Sequence, residues 1–78
     1  MYGISIEWLF EAAEGFDVDK AIEVMAVGKG TREVETGVLL RYIQDTYMVA
    51  FEVARDVLNV LVQIGRVVIS SFATVRFL

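Results

Sequence analysis

With 78 residues the chain holds one domain at most. A domain of that size buries only about 60% of the surface its unfolded chain exposes. Yet 56% of the residues are hydrophobic and the mean hydropathy is +0.58, so the excess apolar surface is expected to face partner chains or lipid. Cysteine and histidine are both absent, which excludes disulfides, zinc sites with sulfur or imidazole ligands, and cysteine or histidine catalysis.

The net charge of −4 is uneven. Residues 1–23 carry Glu7, Glu11, Glu14, Asp17, Asp19 and Glu23 against Lys20 alone, a balance of −5. Residues 24–37 are neutral, and residues 38–78 carry Arg41, Arg55, Arg66 and Arg76 against Asp45, Glu52 and Asp56, a balance of +1. That distribution argues against a general nucleic-acid binder and leaves room for local contacts. The N-terminus lacks the basic region and cleavage site of a signal peptide. The longest charge-free runs, 57–65 and 67–75, are split by Arg66, so no membrane span is expected.

In chain order, residues 4–14 read as a helix. Glu7, Glu11 and Glu14 form one acidic stripe, and Ile4, Trp8, Leu9 and Ala12 cover the other side. The stripe reads as an exposed or arginine-paired face, not as carboxylates for acid/base work. Gly15 marks a stop. Asp17 offers an N-cap for a second short helix through VDKAIEVMA. A strand over IEVMAV, with REVET as its hairpin partner across GKGT, fits as well. Helix and strand both stay open for 22–36.

The stretch AVGKGTREVETG invites a phosphate reading but misses the known loops. A P-loop needs glycine where Glu23 stands and Ser or Thr where Gly30 follows Lys29; the dinucleotide fingerprint needs glycine at Glu33. Two readings remain: a solvated turn, or a basic tip meeting phosphates through Lys29 and Arg32.

From Val38 onward, a wheel centred on Arg41 gathers Asp45, Glu52, Arg55, Asp56, Asn59, Gln63, Arg66, Ser70 and Thr74 within roughly 60°. Several pairs repeat at eleven residues, the period of a nearly straight helix. The spacing predicts one apolar helix over 38–76, about 58 Å long. VLVQIGRVVISSF alone could be a strand, but the continuous stripe favours helix. Arg41 with Asp45 and Glu52 with Arg55 are helix-spaced pairs, so the stripe reads as a solvated or ion-paired face and not as a nucleic-acid contact. The expected fold is mainly α, a helical hairpin over 1–78: an N-terminal arm (1–27) with a short helix, a Gly-rich basic tip (28–37, or a small β-hairpin), and a long apolar helix (38–78). Folding at Lys29 and Gly30 leaves the last stretch, about 30 Å of helix, without an intramolecular partner. Trp8, Phe51, Leu61, Ile64, Val68, Phe72 and Phe77 are then the expected anchors between copies.

This layout resembles the small major virion (coat) proteins of rod-shaped or bacilliform archaeal viruses with double-stranded DNA. The resemblance implies a self-assembling helical capsid of many copies, located in the virion. It also implies sequence-independent DNA phosphate contacts through Lys29 and Arg32, diluted by Glu33 and Glu35, and no catalytic, metal or cofactor site. Pilins of conjugation systems are likewise helix hairpins with a basic loop, but they carry two membrane-length apolar segments that residues 1–27 do not match. IEVMAVGKGTREVETGVLL also resembles the strand, basic loop and helix of Alba-type archaeal chromatin proteins.

Overall fold

A computed structural model describes residues 5–28 and 30–78. Helices α1 (Ile6–Glu14) and α2 (Val18–Met25) come first, then strand β1 (Glu33–Glu35) and helices α3 (Thr36–Tyr47) and α4 (Phe51–Gln63). Strands β2 (Val67–Ser71) and β3 (Thr74–Phe77) close the chain. The expected helical hairpin with a long C-terminal helix is therefore incorrect. The region 38–78 is the bulk of α3, a three-residue turn, α4 and an antiparallel hairpin. The longest dimension of the molecule is 39 Å, too short for a straight helix of about 58 Å.

The break between α3 and α4 is local backbone chemistry. Met48 adopts the left-handed conformation (φ 56°, ψ 50°), and the Val49 N–H returns to the Gln44 carbonyl at 3.2 Å. That six-to-one bond is a Schellman stop, normally built on glycine. α2 ends the same way, with Ala26 left-handed and Val27 N–H on the Ile22 carbonyl at 3.0 Å. At the end of α4 the left-handed residue is Gly65 (φ 80°), and Arg66 N–H reaches the Leu61 carbonyl at 2.9 Å. Beyond Gly65 the β-branched run Val67, Val68 and Ile69 takes the extended form it favours.

The first two helices follow their caps. Ser5 Oγ accepts from Trp8 N–H at 3.1 Å and Asp17 from Lys20 N–H at 3.0 Å. The helix reading of 18–25 holds and the strand reading does not. REVET does supply a strand, but β1 pairs with β3, not with IEVMAV. The Alba-like order of strand, loop and helix is thereby lost at its first element.

The sheet order is β1-β3-β2, all antiparallel. Val34 lies opposite Val75, and Val67 opposite Phe77. These four side chains are buried and face the helices, while Glu33, Glu35 and Arg76 point outward. The core is a single cluster in which α1 and α3 both pack on α4, and the inner sheet face completes it. Phe16 stacks on Phe77 (centroids 6.4 Å apart) and meets Tyr42 edge-on at 5.9 Å. Trp8 meets Tyr47 edge-on at 5.7 Å. Tyr47 donates its hydroxyl to the Ala12 carbonyl at 3.1 Å. Burial first, and the neighbouring Tyr42 second, raise its pKa above 10.0, with Arg66 pulling the other way, so Tyr47 is a neutral donor at physiological pH.

Part of the stretch expected to overhang packs within the chain instead, while Ile69, Phe72 and Leu78 stay exposed. Val60, Leu61, Val67, Val75 and Phe77 are buried. Arg66 locks this return: its guanidinium donates to the Glu14 carbonyl at 2.7 Å and to the Phe16 carbonyl at 3.0 Å, the exposed end of α1.

Two stability outcomes follow from these contacts. Arg66→Ala is expected to cost about 1–3 kcal/mol, by stripping two carbonyls of a charged donor, read as a lowered urea midpoint at unchanged slope. Leu61→Ala is expected to cost about 2–5 kcal/mol, with the loss independent of protein concentration. A loss that grows on dilution would instead place Leu61 between copies.

Candidate nucleic-acid interface

α3, the three-residue turn at Met48, Val49 and Ala50, and α4 follow one another as helix, turn, helix, and the two helices pack on each other. α4 divides sharply. Val53, Ala54, Val57, Leu58, Val60 and Leu61 face the core. At about 100° per residue, the remaining arc presents Phe51, Arg55, Asn59 and Gln63 at successive four-residue intervals, all exposed, with Glu52 beside them. The Arg55 guanidinium carbon lies 5.9 Å from the Phe51 ring centroid, a cation–π contact that orients the arginine. Arginine, asparagine and glutamine are the side chains that pair bidentately with guanine and adenine edges.

The four helix starts differ in one respect. α1 and α2 have side-chain caps, whereas α3 and α4 begin at Glu35 and Ala50 with no side-chain cap bond. α4 thus begins without a side-chain acceptor for its first-turn N–H groups, whereas the Thr36 N–H that opens α3 is taken by a main-chain carbonyl. Beside the start of α3 lies a shallow cleft lined by Glu35, Gly37, Val38, Arg41 and Ala73. Its far wall is the tip of the β2–β3 hairpin, fixed there by Thr36 N–H donating to the Ala73 carbonyl at 2.9 Å.

The residues singled out from sequence are scattered over this framework. Lys29 lies outside the described residues. Arg32 is half-buried with a left-handed backbone (φ 57°). Its side chain donates to the Phe77 carbonyl at 3.2 Å and the Leu78 main-chain oxygen at 3.3 Å, and its own carbonyl accepts from Phe77 N–H at 3.0 Å. Arg32 therefore clamps the end of β3. Of the expected subunit anchors, Leu61 and Phe77 are core, while Trp8, Ile64 and Val68 are half-buried. Phe51 and Phe72 are exposed, at 47% and 104%. Arg55, Asn59 and Gln63 were legible only as members of a polar stripe. Their four-residue spacing was the available signal, and it was absorbed into a longer pattern that ran through two helix ends.

Among the described residues, no group of three or more Asp or Glu is placed to hold a metal ion, and no helix is long and apolar enough to cross a membrane. Compared with protein-family models, with curated proteins and with solved structures, the chain matches none.

Proposed function

We propose that this chain is a duplex-DNA-binding module with the layout of a winged helix-turn-helix, in which α4 enters the major groove and the β2–β3 hairpin is the wing. The observation that carries the reading is the outward row Arg55, Asn59 and Gln63 on the second helix of a helix-turn-helix. A B-form major groove, about 12 Å wide, admits a helix and displays the edges those side chains recognise. The deep, narrow major groove of duplex RNA does not. Arg41 and the start of α4, which has no side-chain cap, are suited to flanking phosphates.

Charge sets the strength of the binding. Arg66 and Arg32 are engaged in the fold. Arg76 sits opposite Glu33 on the outer face of the sheet. Arg41 and Arg55 remain on the helix-turn-helix, against Asp45, Glu52 and Asp56 of the same two helices. Affinity then comes mainly from base edges and shape, with a small electrostatic part.

A second reading, the self-assembling coat subunit of a DNA-containing virion, draws on exposed apolar side chains: Met48 at 86%, Ile69 at 65%, and Phe51 and Phe72. It no longer has the unpartnered helix that motivated it. Sedimentation and electron microscopy at high concentration test it: particles would favour it, and a monomer at all concentrations would remove it.

For the DNA reading, duplexes are selected from a random library and affinities measured by fluorescence anisotropy. Arg55→Ala and Asn59→Ala are each expected to weaken binding to the selected duplex about tenfold and relax preference at one position; unaltered affinity in both sinks the assignment. Glu52→Gln is expected to tighten binding. The plot of log affinity against log salt is expected to have a slope of about −2, one step of about −0.9 for each of Arg41 and Arg55. A slope several times steeper would mean that other cations carry the contact.

A further inference from the structure

The wing has an unusual composition for a DNA contact. Residues 67–75 contain no charged side chain, and the one cation of β3, Arg76, lies at the far end of the strand opposite Glu33, so the tip of this hairpin cannot hold phosphates by ion pairing. At its tip, Phe72 projects with 104% exposure, and its neighbour Ala73 is exposed too. Nothing in the core uses Phe72. Below it, Ser70, Ser71 and Thr74 bond to one another through their hydroxyls, Ser70 Oγ to Thr74 Oγ1 at 2.9 Å and Ser71 Oγ to the same oxygen. A register shift between Ile69 and Ser71 adds a bulge there, which increases local twist. The turn is thus held from within, by side chains that satisfy each other. The Thr36–Ala73 bond ties it to the first turn of α3. The phenyl ring is the single large group that this braced tip presents.

We infer that Phe72 is an apolar wedge, which enters the minor groove beside the α4 contact and partly unstacks one base step, bending the duplex. The inference rests on the helix-turn-helix reading above and specifies what its wing does. An aromatic or aliphatic wedge between base steps is the way an uncharged element gains affinity from DNA, since unstacking opens apolar base faces to it. Flexible pyrimidine–purine steps, TA above all, would be preferred. A partner protein is the competing occupant of an exposed phenylalanine. The placement favours DNA, because the tip is anchored to α3 in the cleft that holds Arg41, a cation with chemistry for phosphate, although Glu35 lines the same cleft.

The test uses the full chain and the duplex selected above, with 2-aminopurine replacing the adenine of its T–A step beside the α4 contact. Because Phe72 touches no core residue, Phe72→Ala is expected to keep the wild-type circular dichroism and unfolding midpoint. The wild-type chain is expected to raise 2-aminopurine fluorescence and to shorten the end-to-end distance measured by energy transfer. Phe72→Ala is expected to lose both signals and bind about tenfold more weakly, and Phe72→Trp to retain them. If Phe72→Ala keeps the signals and affinity while Arg55→Ala weakens binding, the wedge is wrong and the α4 contact stands. If no form binds duplex, both fall. If Phe72→Ala dissociates a wild-type oligomer and leaves the DNA signals unchanged, the tip is a contact between copies and the wedge is overturned.

Discussion

β3 pairs along both edges, and its four residues close the chain from two directions. On one side it holds β1, which passes into α3 at Thr36 with no linker. On the other it holds β2, which follows α4 after Gly65 and Arg66. Both ends of the helix-turn-helix are therefore referred to one strand. The inner side chains of β3, Val75 and Phe77, are buried against the helices, with Phe77 stacked on Phe16 from the α1–α2 connection. Arg32 holds the far end of the strand, and the Leu78 N–H returns to the Arg66 carbonyl at 3.1 Å. Were this strand to detach, α3 would lose its fixed start, the wing its spine and Phe16 its stacking partner together.

The N-terminal half was largely legible. Asp17 caps α2 with a side-chain oxygen and Gly15 closes α1, both as expected, whereas the Ser5 cap was not anticipated because the helix was expected from residue 4. Of the expected apolar face, Leu9 and Ala12 are buried and Trp8 half-buried, while Ile4 lies outside the described residues. The C-terminal half was not, for a definable reason. A helix end is read from glycine or proline, and α3 ends on Met48 in a left-handed conformation that costs most L-residues on the order of 1 kcal/mol. Tertiary packing outweighs that cost: Tyr47, just before the stop, is held by Trp8 and Ala12, while Val53 and Ala54 enter the core just after it. The polar stripe continued across this break because α3 and α4 each keep an outward face, and a wheel cannot tell one helix from two. At Gly65 the signal was present, with valines and isoleucine beyond it. It was overridden by a periodicity that Ser70 and Thr74 satisfied by chance, since they lie on a hairpin.

The same misreading hid the candidate site. Polar residues on one helix face are usually solvated, and the near cancellation of charge along the stripe supported that view. Once the stripe is cut at the turn, α4 contributes Arg55, Asn59 and Gln63 together with Glu52 and Asp56, and only Asp45 separates from them, on α3. Conversely, the basic loop owed its prominence to Lys29 and Arg32, and of the two Arg32 is a strut, its guanidinium bound to the main chain of Phe77 and Leu78. Formal charge in a sequence counts such struts and free cations alike; hydrogen bonding to buried main chain separates them.

An acidic chain with few free arginines sits oddly with DNA only if affinity is equated with phosphate binding. Non-specific association is almost wholly electrostatic, whereas base-edge and wedge contacts are short-ranged and require the right sequence and shape. Removing positive charge therefore lowers the non-specific background more than it lowers the specific complex. The acids of α1 and α2 extend that logic. α1 packs on α4 from the core side, so on the proposed DNA reading its stripe of Glu7, Glu11 and Glu14 would repel phosphate from a surface other than the groove-facing one and disfavour the wrong orientation. Phe72 would fit the same scheme, because an uncharged wing tip adds nothing to random collisions with a duplex and would contribute only after α4 had seated it at a deformable step.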